Sequence, residues 1–337
     1  PVNPQPLVDC TFYGGNNNGA HIVTNPITPG NVNAIQIANA NDMTAIVTTL
    51  PGVFHAIIPN MGTCAKYGNY VYNTITTYTG TIGHGIVKME IDSATSSLSY
   101  VQHYTTGMFG YALTGAGLCS KDQDTLIHAD SWLYGNRGPV SSPKIQELQL
   151  QANGTIGVNV LFNIAGGLSC TGDIIYRPSD NTIVVLVNGT VGNHAVHEIH
   201  HYTYSGTLID SFDLTVFPQH NSFTMFCYAG DIYFPTTLGN EIYKVDTYPL
   251  SATLVTTNNL HQVAHGDGAT SPECCDSASS NIGYNNFIGS SELVNLNYTD
   301  NRFITASYIQ NDNQTVEVVG NDSMFLTEEE NGTQKIL

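Results

Sequence analysis

The residues His197, Glu198 and His201 form an H-E-x-x-H pattern within the segment HAVHEIHHYTYSGTLIDSF. On an α-helix this spacing places two imidazoles on one face, where they bind zinc beside a glutamate that acts as a general base. The resulting chemistry would be metal-dependent peptide hydrolysis. Because that chemistry requires a helix, the structural context of the segment decides whether the pattern has a function.

The surrounding residues predict a pair of strands instead of a helix. They are rich in Tyr, Thr and Ile, and they include a turn signal at Ser205-Gly206. On a strand, residues four positions apart are separated by about 13 Å, at roughly 3.3 Å per residue. Two imidazoles at that separation cannot both reach one zinc ion, which needs bonds of about 2.0 Å. We therefore predict His197 and His201 on a strand without a zinc site, and His200 on the opposite face.

Two further pairs combine an imidazole with a nearby carboxylate, His128 with Asp130 and His265 with Asp267. Such groups can bind a cation or act as acid and base at the mouth of a channel. Hydrogen-bonded or solvated loop residues give the same pattern, and we favour that interpretation. The sequence contains no nucleophile elbow, phosphate-binding loop or dinucleotide-binding motif, and its one tryptophan, Trp132, is not part of a sialidase-type box. We predict no catalytic residue, no metal ligand and no cofactor.

Composition restricts the classes of partner. The 337 residues include 27 acidic and 9 basic side chains, so the formal net charge is −18. Such a surface repels phosphate backbones and anionic lipids, which argues against nucleic acids and membrane surfaces as partners. No apolar run approaches the roughly 18 residues that span a bilayer. Because polarity comes from Asn, Ser, Thr, Tyr and Gly, and the chain starts at Pro1 without Met, we expect a secreted extracellular protein whose leader has been removed.

A short pattern of two apolar residues, the second three positions after the first, recurs every 46 to 59 residues. Each copy precedes another β-rich run, the first of which is MTAIVTT at residues 43–49. Strands of this length, separated by Gly, Asn and Pro turns, are typical of four-stranded propeller blades. Six copies predict an all-β, six-bladed β-propeller without an amphipathic helix of three turns. The copies begin at Ile35, Ile86, Ile145, Val196, Ile242 and Leu293.

The cysteines follow the same period, with about one in each predicted blade, near the turn between the inner strands. Zinc sites need closely spaced pairs of the C-x₂₋₄-C type, which are absent. We predict disulfides between neighbouring blades around the axis, as suits a secreted protein. The alternative is a set of small buried residues that fill tight inner positions. The candidates are Cys10, Cys64, Cys119, Cys170, Cys227, Cys274 and Cys275.

The repeat period and the strand pattern resemble those of six-bladed β-propellers in general, over about residues 7–310. This resemblance implies a fold and leaves the function open. We predict a propeller over residues 1–310 and a C-terminal extension over residues 311–337, with strand-forming runs TVEVVG and SMFLT. The extension either closes the ring or adds a strand to the blade edge of a neighbouring copy, which would propagate a filament. A contact of the second kind would bury Val316, Val318, Met324 and Phe325.

Sequons for N-glycosylation occur no more often than the high Asn, Ser and Thr content produces by chance. The sequons at Asn153 and Asn331 read N-G-T, which is also a turn signal, so these two are the most exposed candidates. The full set is Asn153, Asn188, Asn297, Asn313, Asn321 and Asn331.

Three functional classes remain. We favour a secreted, disulfide-linked and glycosylated structural protein that assembles with copies of itself at a surface or in a filament. One alternative is a propeller hydrolase or lactonase, with or without calcium, whose site lies at the channel mouth. The other is a module that binds glycans or proteins through Tyr-rich loops.

Overall fold

The computed structural model of the chain contains two compact units, residues 1–277 and residues 278–337. None of the helices that the structure describes is long and apolar enough to span a bilayer. The described residues are 10–16, 18–48, 64–75, 85–92, 94–105, 117–133, 138–164, 166, 168–191, 194–216, 224–236, 240–263, 268–276, 304–308, 316–320, 324–330 and 333–336.

The first unit is an all-β propeller whose blades are four-stranded antiparallel sheets, which confirms the predicted type of fold. It has five blades instead of six. Blades 2 to 5 each use four consecutive strands, and the first strands of blades 2, 3 and 4 contact one another around the axis. The fourth strand of each blade is the outer strand.

The strands of blades 2 to 5 follow one another along the chain. Blade 2 contains β4 (Cys64–Tyr67), β5 (Tyr70–Ile75), β6 (Gly85–Asp92) and β7 (Ser97–Thr105). Blade 3 contains β8 (Leu118–Ser120), β9 (Thr125–Leu133), β10 (Gly138–Leu150) and β11 (Ile156–Asn163). Blade 4 contains β12 (Ser169–Arg177), β13 (Thr182–Val191), β14 (His194–Thr203) and β15 (Leu208–Asp213). Blade 5 contains β16 (Phe226–Tyr228), β17 (Asp231–Pro235), β18 (Glu241–Thr247) and β19 (Leu250–Thr257).

Blade 1 combines strands from both ends of the first unit. Its order is β20, β1, β2 and β3, where β20 is only two residues long and follows blade 5 in the chain. Tyr13 pairs with Ala269 and Gly14 with Gly268, so β20 closes the ring. The bounds are β20 (Gly268–Ala269), β1 (Phe12–Asn16), β2 (Gly19–Val23) and β3 (Ala34–Asn39).

Five hydrophobic clusters lie between the blades, one at each junction of the ring. Along β13, Ile183 and Val185 pack towards blade 3, whereas Val184 and Leu186 pack towards blade 5. Both faces of this strand are therefore apolar, as expected for a sheet that is buried on both sides. Each Å² of apolar surface that is buried at these junctions stabilises the ring by about 25 cal/mol.

Outer strands contact the turn between the third and fourth strands of the next blade. The amide of Thr105, at the end of β7, donates to the carbonyl of Gly154 at 2.9 Å, and the amide of Gly30 donates to Thr257 at the end of β19 at 2.9 Å. Gly154 and Gly30 have φ values of 80° and 79°, which residues with a Cβ rarely adopt. The predicted turn at Asn153-Gly154 thus also joins two blades.

The prediction of six blades is wrong because the first and last copies of the repeat occupy other places in the fold. The four middle copies are the third strands β6, β10, β14 and β18. The first copy, at Ile35, lies on the outer strand β3, while the third strand of blade 1 is β2. The last copy, at Leu293, lies outside the described residues, and the next described strand belongs to the second unit.

The predicted strand at residues 43–49 is also wrong, because α1 (Ala40–Thr48) occupies this stretch. The side chain of Asn39 accepts hydrogen bonds from the amides of Asn41 and Asp42, and Asp42 accepts one from the amide of Asn39 at 2.8 Å. This reciprocal capping satisfies amides that the first helical turn leaves open. Met43 and Ile46, three positions apart, are buried against blades 1 and 2. The chain also forms the short α2 (Leu260–Val263) and 3₁₀ turns at Leu214–Val216 and Pro272–Cys275.

The second unit contains a four-stranded antiparallel sheet in which the strands follow chain order. Its outer strands are β21 and β24, and its central strands are β22 and β23. The sheet combines residues from both sides of position 310, the predicted boundary. The bounds are β21 (Ile304–Tyr308), β22 (Val316–Gly320), β23 (Met324–Glu330) and β24 (Thr333–Ile336).

Candidate functional site

Residues 270–276, which we call the closure plug, follow β20 and form hydrogen bonds with turns of several blades. The Ser271 hydroxyl accepts a hydrogen bond from the amide of Gly68 at 2.9 Å, and the Asp276 carboxylate accepts one from the amide of Ser179 at 2.9 Å. Gly68 and Ser179 lie in the turns between the first and second strands of blades 2 and 4. The plug therefore connects blades that are not neighbours in the ring.

Two disulfides fix the closure plug. Cys274 is bonded to Cys10, just before blade 1, and Cys275 is bonded to Cys227 on β16 of blade 5. The Cα atoms are 5.4 and 4.8 Å apart, within the usual range for disulfides. Disulfides are thus present, as the sequence predicted, and both join the closure plug to segments where the ring closes instead of joining two blades directly.

The three remaining cysteines lie outside these two bridges, buried on the first strands of blades 2, 3 and 4, where they fill inner positions. They are Cys64, Cys119 and Cys170. Burial raises the pKa of the Cys119 thiol, and the charge of Asp173 adds to the effect. Because the thiolate is the nucleophilic form, Cys119 is unsuited to covalent catalysis.

Asp173, on β12, is a buried carboxylate that sequence reasoning did not find. It accepts hydrogen bonds from the amides of Ile174 at 2.7 Å and Met225 at 3.0 Å. The Thr224 hydroxyl lies 3.3 Å from the same carboxylate and donates to the carbonyl of Gly268 at 2.8 Å. These bonds join blade 4, the segment that enters blade 5, and the closing strand β20. The carboxylate oxygens of Asp173 are therefore occupied by hydrogen bonds that hold the ring together.

The H-E-x-x-H residues lie on β14, which confirms the predicted strand. His200 lies 2.8 Å from the carboxylate of Glu198 and 2.8 Å from the hydroxyl of Tyr202, the neighbours two positions away on its own face. His197 and His201 are buried, and burial lowers the pKa of His201. Within the part of the chain that the structure describes, no three His, Cys, Asp or Glu side chains are grouped to hold a metal ion.

His128, from the first predicted imidazole–carboxylate pair, is fully buried on β9, and its Nδ1 lies 3.1 Å from the side-chain amide of Gln146. Burial lowers the pKa of His128 to about 3, with a smaller effect from the charge of Lys144. The ring is therefore neutral near pH 7 and a poor proton donor. The other members of the predicted pairs lie outside the described side chains: Asp130, His265 and Asp267.

Basic side chains of the propeller form ion pairs with carboxylates. Lys121 lies 3.1 Å from Glu147 and 3.0 Å from the hydroxyl of Tyr204, so the group links blades 3 and 4. Burial raises the pKa of Glu147, but hydrogen bonds from Tyr204, Lys121 and Gln149 outweigh it and leave the pKa below its ordinary value. The other pairs are Lys88 with Asp124, Arg177 with Asp180, and Lys244 with Asp231 and Asp246.

The outer strands β3, β7, β11, β15 and β19 form what we call the outer rim of the propeller. Most of the exposed large apolar side chains lie on it. An outer strand also presents one edge of backbone donors and acceptors away from its blade. The rim is therefore the candidate interaction surface. Its exposed apolar residues are Ile35, Tyr100, Val101, Val158, Val160, Leu208, Ile209, Leu254 and Val255.

Two of the predicted glycosylation sites fall on described side chains. Asn153 is exposed in the turn between β10 and β11, where its side-chain oxygen accepts hydrogen bonds from Thr155. Asn188 is half-buried in the middle of blade 4, opposite Ser169 on one side and His197 on the other. The remaining candidates lie outside the described residues: Asn297, Asn313, Asn321 and Asn331.

The four apolar residues predicted to take part in assembly lie on the central strands of the second unit. Val316 and Val318 are on β22, and Met324 and Phe325 are on β23. Val318 and Phe325 occupy opposite positions of this strand pair.

No protein-family model and no curated protein sequence matches the chain. Among solved structures, it is similar to a chain of a nidogen/laminin complex, with 10% identity over 77% of this chain and 97% of that chain, at a TM-score of 0.41. It is also similar to a periplasmic gluconolactonase of Pseudomonas aeruginosa, with 8% identity over 97% and 81% of the two chains, at a TM-score of 0.37. A protein of Bacteroides fragilis assigned as a 6-phosphogluconolactonase gives 10% identity, 99% and 96% coverage, and a TM-score of 0.39. Similarities of this size identify neither a family nor a function.

Proposed function

We propose that the protein is an extracellular structural β-propeller whose copies join one another through the second unit. The observation that carries this proposal is the closure of the ring by β20 and the closure plug. Because blade 1 is complete without any residue after 277, the strands of the second unit are not needed to close the propeller. They are available for contacts with another copy.

Disulfides and surface charge support the extracellular part of the proposal. Disulfides such as Cys10–Cys274 and Cys227–Cys275 persist in oxidising environments and are rare in reducing ones. The net charge of −18, together with basic side chains that are engaged in ion pairs, disfavours nucleic acids as partners. The exposed sequon at Asn153 suits glycosylation in such a compartment.

The proposed joining mechanism is edge-to-edge pairing of strands. A sheet that gains a strand from a second copy satisfies its open backbone groups and buries apolar side chains that would otherwise face water. Val316, Val318, Met324 and Phe325 lie on the central strands β22 and β23, so we expect them to support this contact by holding together the sheet whose outer strands pair with the second copy. Acidic copies repel one another at long range, so salt should promote assembly by screening that repulsion.

The test is to compare the full chain with a variant that lacks residues 311–337, by light scattering and electron microscopy in low and high salt. We expect the full chain to form assemblies larger than a dimer and the truncated chain to stay monomeric. A variant that ends at residue 277 controls for folding, because residues 1–277 form a compact unit with both disulfides. A full chain that is monomeric in all conditions, or a truncation that leaves assembly unchanged, would contradict the proposal and favour the hydrolase or lactonase alternative.

A further inference from the structure

Charged residues are distributed unevenly over the strands of the propeller blades. The third strands carry most of them, for example Glu90 on β6, Glu147 on β10 and Glu241 on β18. The outer strands β3, β7, β11 and β19 contain no Asp, Glu, Lys or Arg, and β15 contains two aspartates. Soluble proteins usually place charges, above all Lys, on edge strands to prevent pairing between molecules. Four of the five strands of the outer rim lack that protection in a chain with 27 acidic residues.

The sheet of the second unit also keeps its acidic residues away from its edges. Its acidic residues lie on the central strands, Glu317 on β22 and residues 328–330 on β23. The outer strand β24 reads TQKI and carries Lys335, the kind of charge that usually protects an edge from pairing, whereas β21 reads ITASY and carries no charge. Strands in a sheet are about 4.8 Å apart, so β24 lies one strand from the three glutamates and β21 lies two strands from them. Because the partner is a second acidic copy, β21 is the edge that meets the weaker repulsion.

Among the outer strands, β19 provides the edge that fits β21 best. The amide of Leu250 donates to the carboxylate of Asp210, and the carbonyl of Thr257 accepts from Gly30, so neighbouring blades contact both ends of the strand. Between them, residues 251–256 have no strand partner on the outer side among the described residues. This opening of six residues matches the five residues of β21.

Exposure and the sequons also favour β19. Leu254 and Val255, in the middle of its opening, are 53% and 47% exposed, the most exposed adjacent pair on the rim. The outer strands β7 and β11 both adjoin the turn that carries Asn153, where a glycan would obstruct an approaching sheet. No sequon lies near β19 in the sequence.

We propose that β21 of one copy pairs with the outer edge of β19 in the propeller of the next copy. This inference rests on the proposed function and specifies the surface through which copies join. Pairing would satisfy the open backbone groups of residues 251–256 and cover Leu254 and Val255. The contact joins two different surfaces, so it repeats from copy to copy and produces a filament instead of a closed dimer.

The first experiment introduces a charge at Val255 in the full chain, as Val255→Lys and separately as Val255→Glu, with Val160→Lys on β11 as the matched control. We expect both Val255 variants to raise the critical concentration for assembly at least tenfold, and the control to leave it within twofold. Unfolding in urea verifies that each variant folds, which the exposure of Val255 and Val160 favours. A defect in Val255→Glu alone would indicate general repulsion and would overturn the assignment of β19.

The second experiment detects the contact directly. Protein with Val255→Cys is mixed with protein with Ala306→Cys, in the middle of β21, and oxidised with copper phenanthroline. We expect a disulfide-linked dimer in this mixture and none when Val160→Cys replaces Val255→Cys. If the parent chain assembles but neither experiment involves Val255, the inference about β19 fails while the proposed function stands. If the parent chain does not assemble, the proposed function itself fails.

Discussion

The closure plug and the outer rim are built from opposite kinds of residue. In the plug, Cys274 and Cys275 are buried and covalently bonded, and the Ser271 hydroxyl and one carboxylate oxygen of Asp276 accept hydrogen bonds from blades 2 and 4. On the rim, where four of the five strands carry no charged residue, apolar side chains and one edge of backbone groups are exposed. The plug holds one molecule together, whereas the rim has the open backbone groups that we propose pair with another copy. If that proposal is right, stability and association depend on different residues and can be changed separately.

The largest effect should come from breaking the plug. Removal of either bridge, as Cys10→Ser with Cys274→Ser or as Cys227→Ser with Cys275→Ser, should lower the free energy of unfolding by about 2–4 kcal/mol. The reason is that each bridge limits the freedom of the unfolded chain. Urea titration with and without dithiothreitol measures the loss. The reductant should destabilise the parent and have no further effect on a variant that lacks both bridges; an unchanged parent would contradict the role of the plug.

A second, smaller loss is expected at the polar junction beside the plug. Asp173→Asn should destabilise the propeller by roughly 2–3 kcal/mol, because an amide cannot accept all the hydrogen bonds that the buried carboxylate accepts. The matched control is Asp122→Asn, at an exposed turn position where the amide oxygen can still accept the hydrogen bond from the amide of Asp124, so the change should stay within about 0.5 kcal/mol. Equal values for the two variants in urea titration would show that Asp173 has no special role.

The pH dependence of stability should also come from the buried interior. His128 has a pKa of about 3 in the folded state and an ordinary value of 6.5, so below pH 6.5 the unfolded chain takes up a proton that the folded chain does not. Its contribution to stability is thus complete above pH 6.5 and decreases as the pH falls towards 3. His128→Gln should reduce the slope of unfolding free energy against pH in this range. If the variant and the parent chain show the same slope of unfolding free energy against pH, a group other than His128 causes the pH dependence.

Substitutions on the rim should have the smallest effect on stability. Val255→Lys should change the free energy of unfolding of the monomer by less than about 0.5 kcal/mol, as is usual for exposed positions. The critical concentration for assembly, in contrast, should rise at least tenfold. Urea titration of dilute protein beside light scattering of concentrated protein separates the two quantities. If Val255→Lys greatly lowered the stability of the monomer, the rim would contribute to folding as the plug does, and the comparison between them would fail.

Sequence reasoning predicted the strands and blades because alternating residues and turns leave a local signal. The assignment of β14 from its Tyr, Thr and Ile content is one example, and the turn at Gly154 is another. The number of blades has no local signal, since it depends on which strand completes the first blade. That strand, β20, has two residues and does not resemble a strand in the sequence. The helix α1 could have been found from the capping pattern of Asn39 and Asp42.

The site was less predictable than the fold. The cysteine period indicated bridges near the axis, but Cys274 and Cys275 pair across the ring closure, which depends on long-range topology. Asp173 lies in the segment TGDIIY, where nothing marks the residue as buried. The charge-free outer strands could have been recognised, but only after the third and fourth strands of each blade had been told apart.

The position of the two bridges has a mechanical consequence. The second unit begins at residue 278, directly after the closure plug. If a filament is stretched, tension applied through the second unit reaches the propeller at Cys275 and Cys274 before it reaches β20. From there covalent bonds carry the load to Cys227 and Cys10, so the two-residue strand that closes the ring is shielded from the pull. The few hydrogen bonds of β20, which are too few to resist such a force by themselves, therefore do not have to carry it.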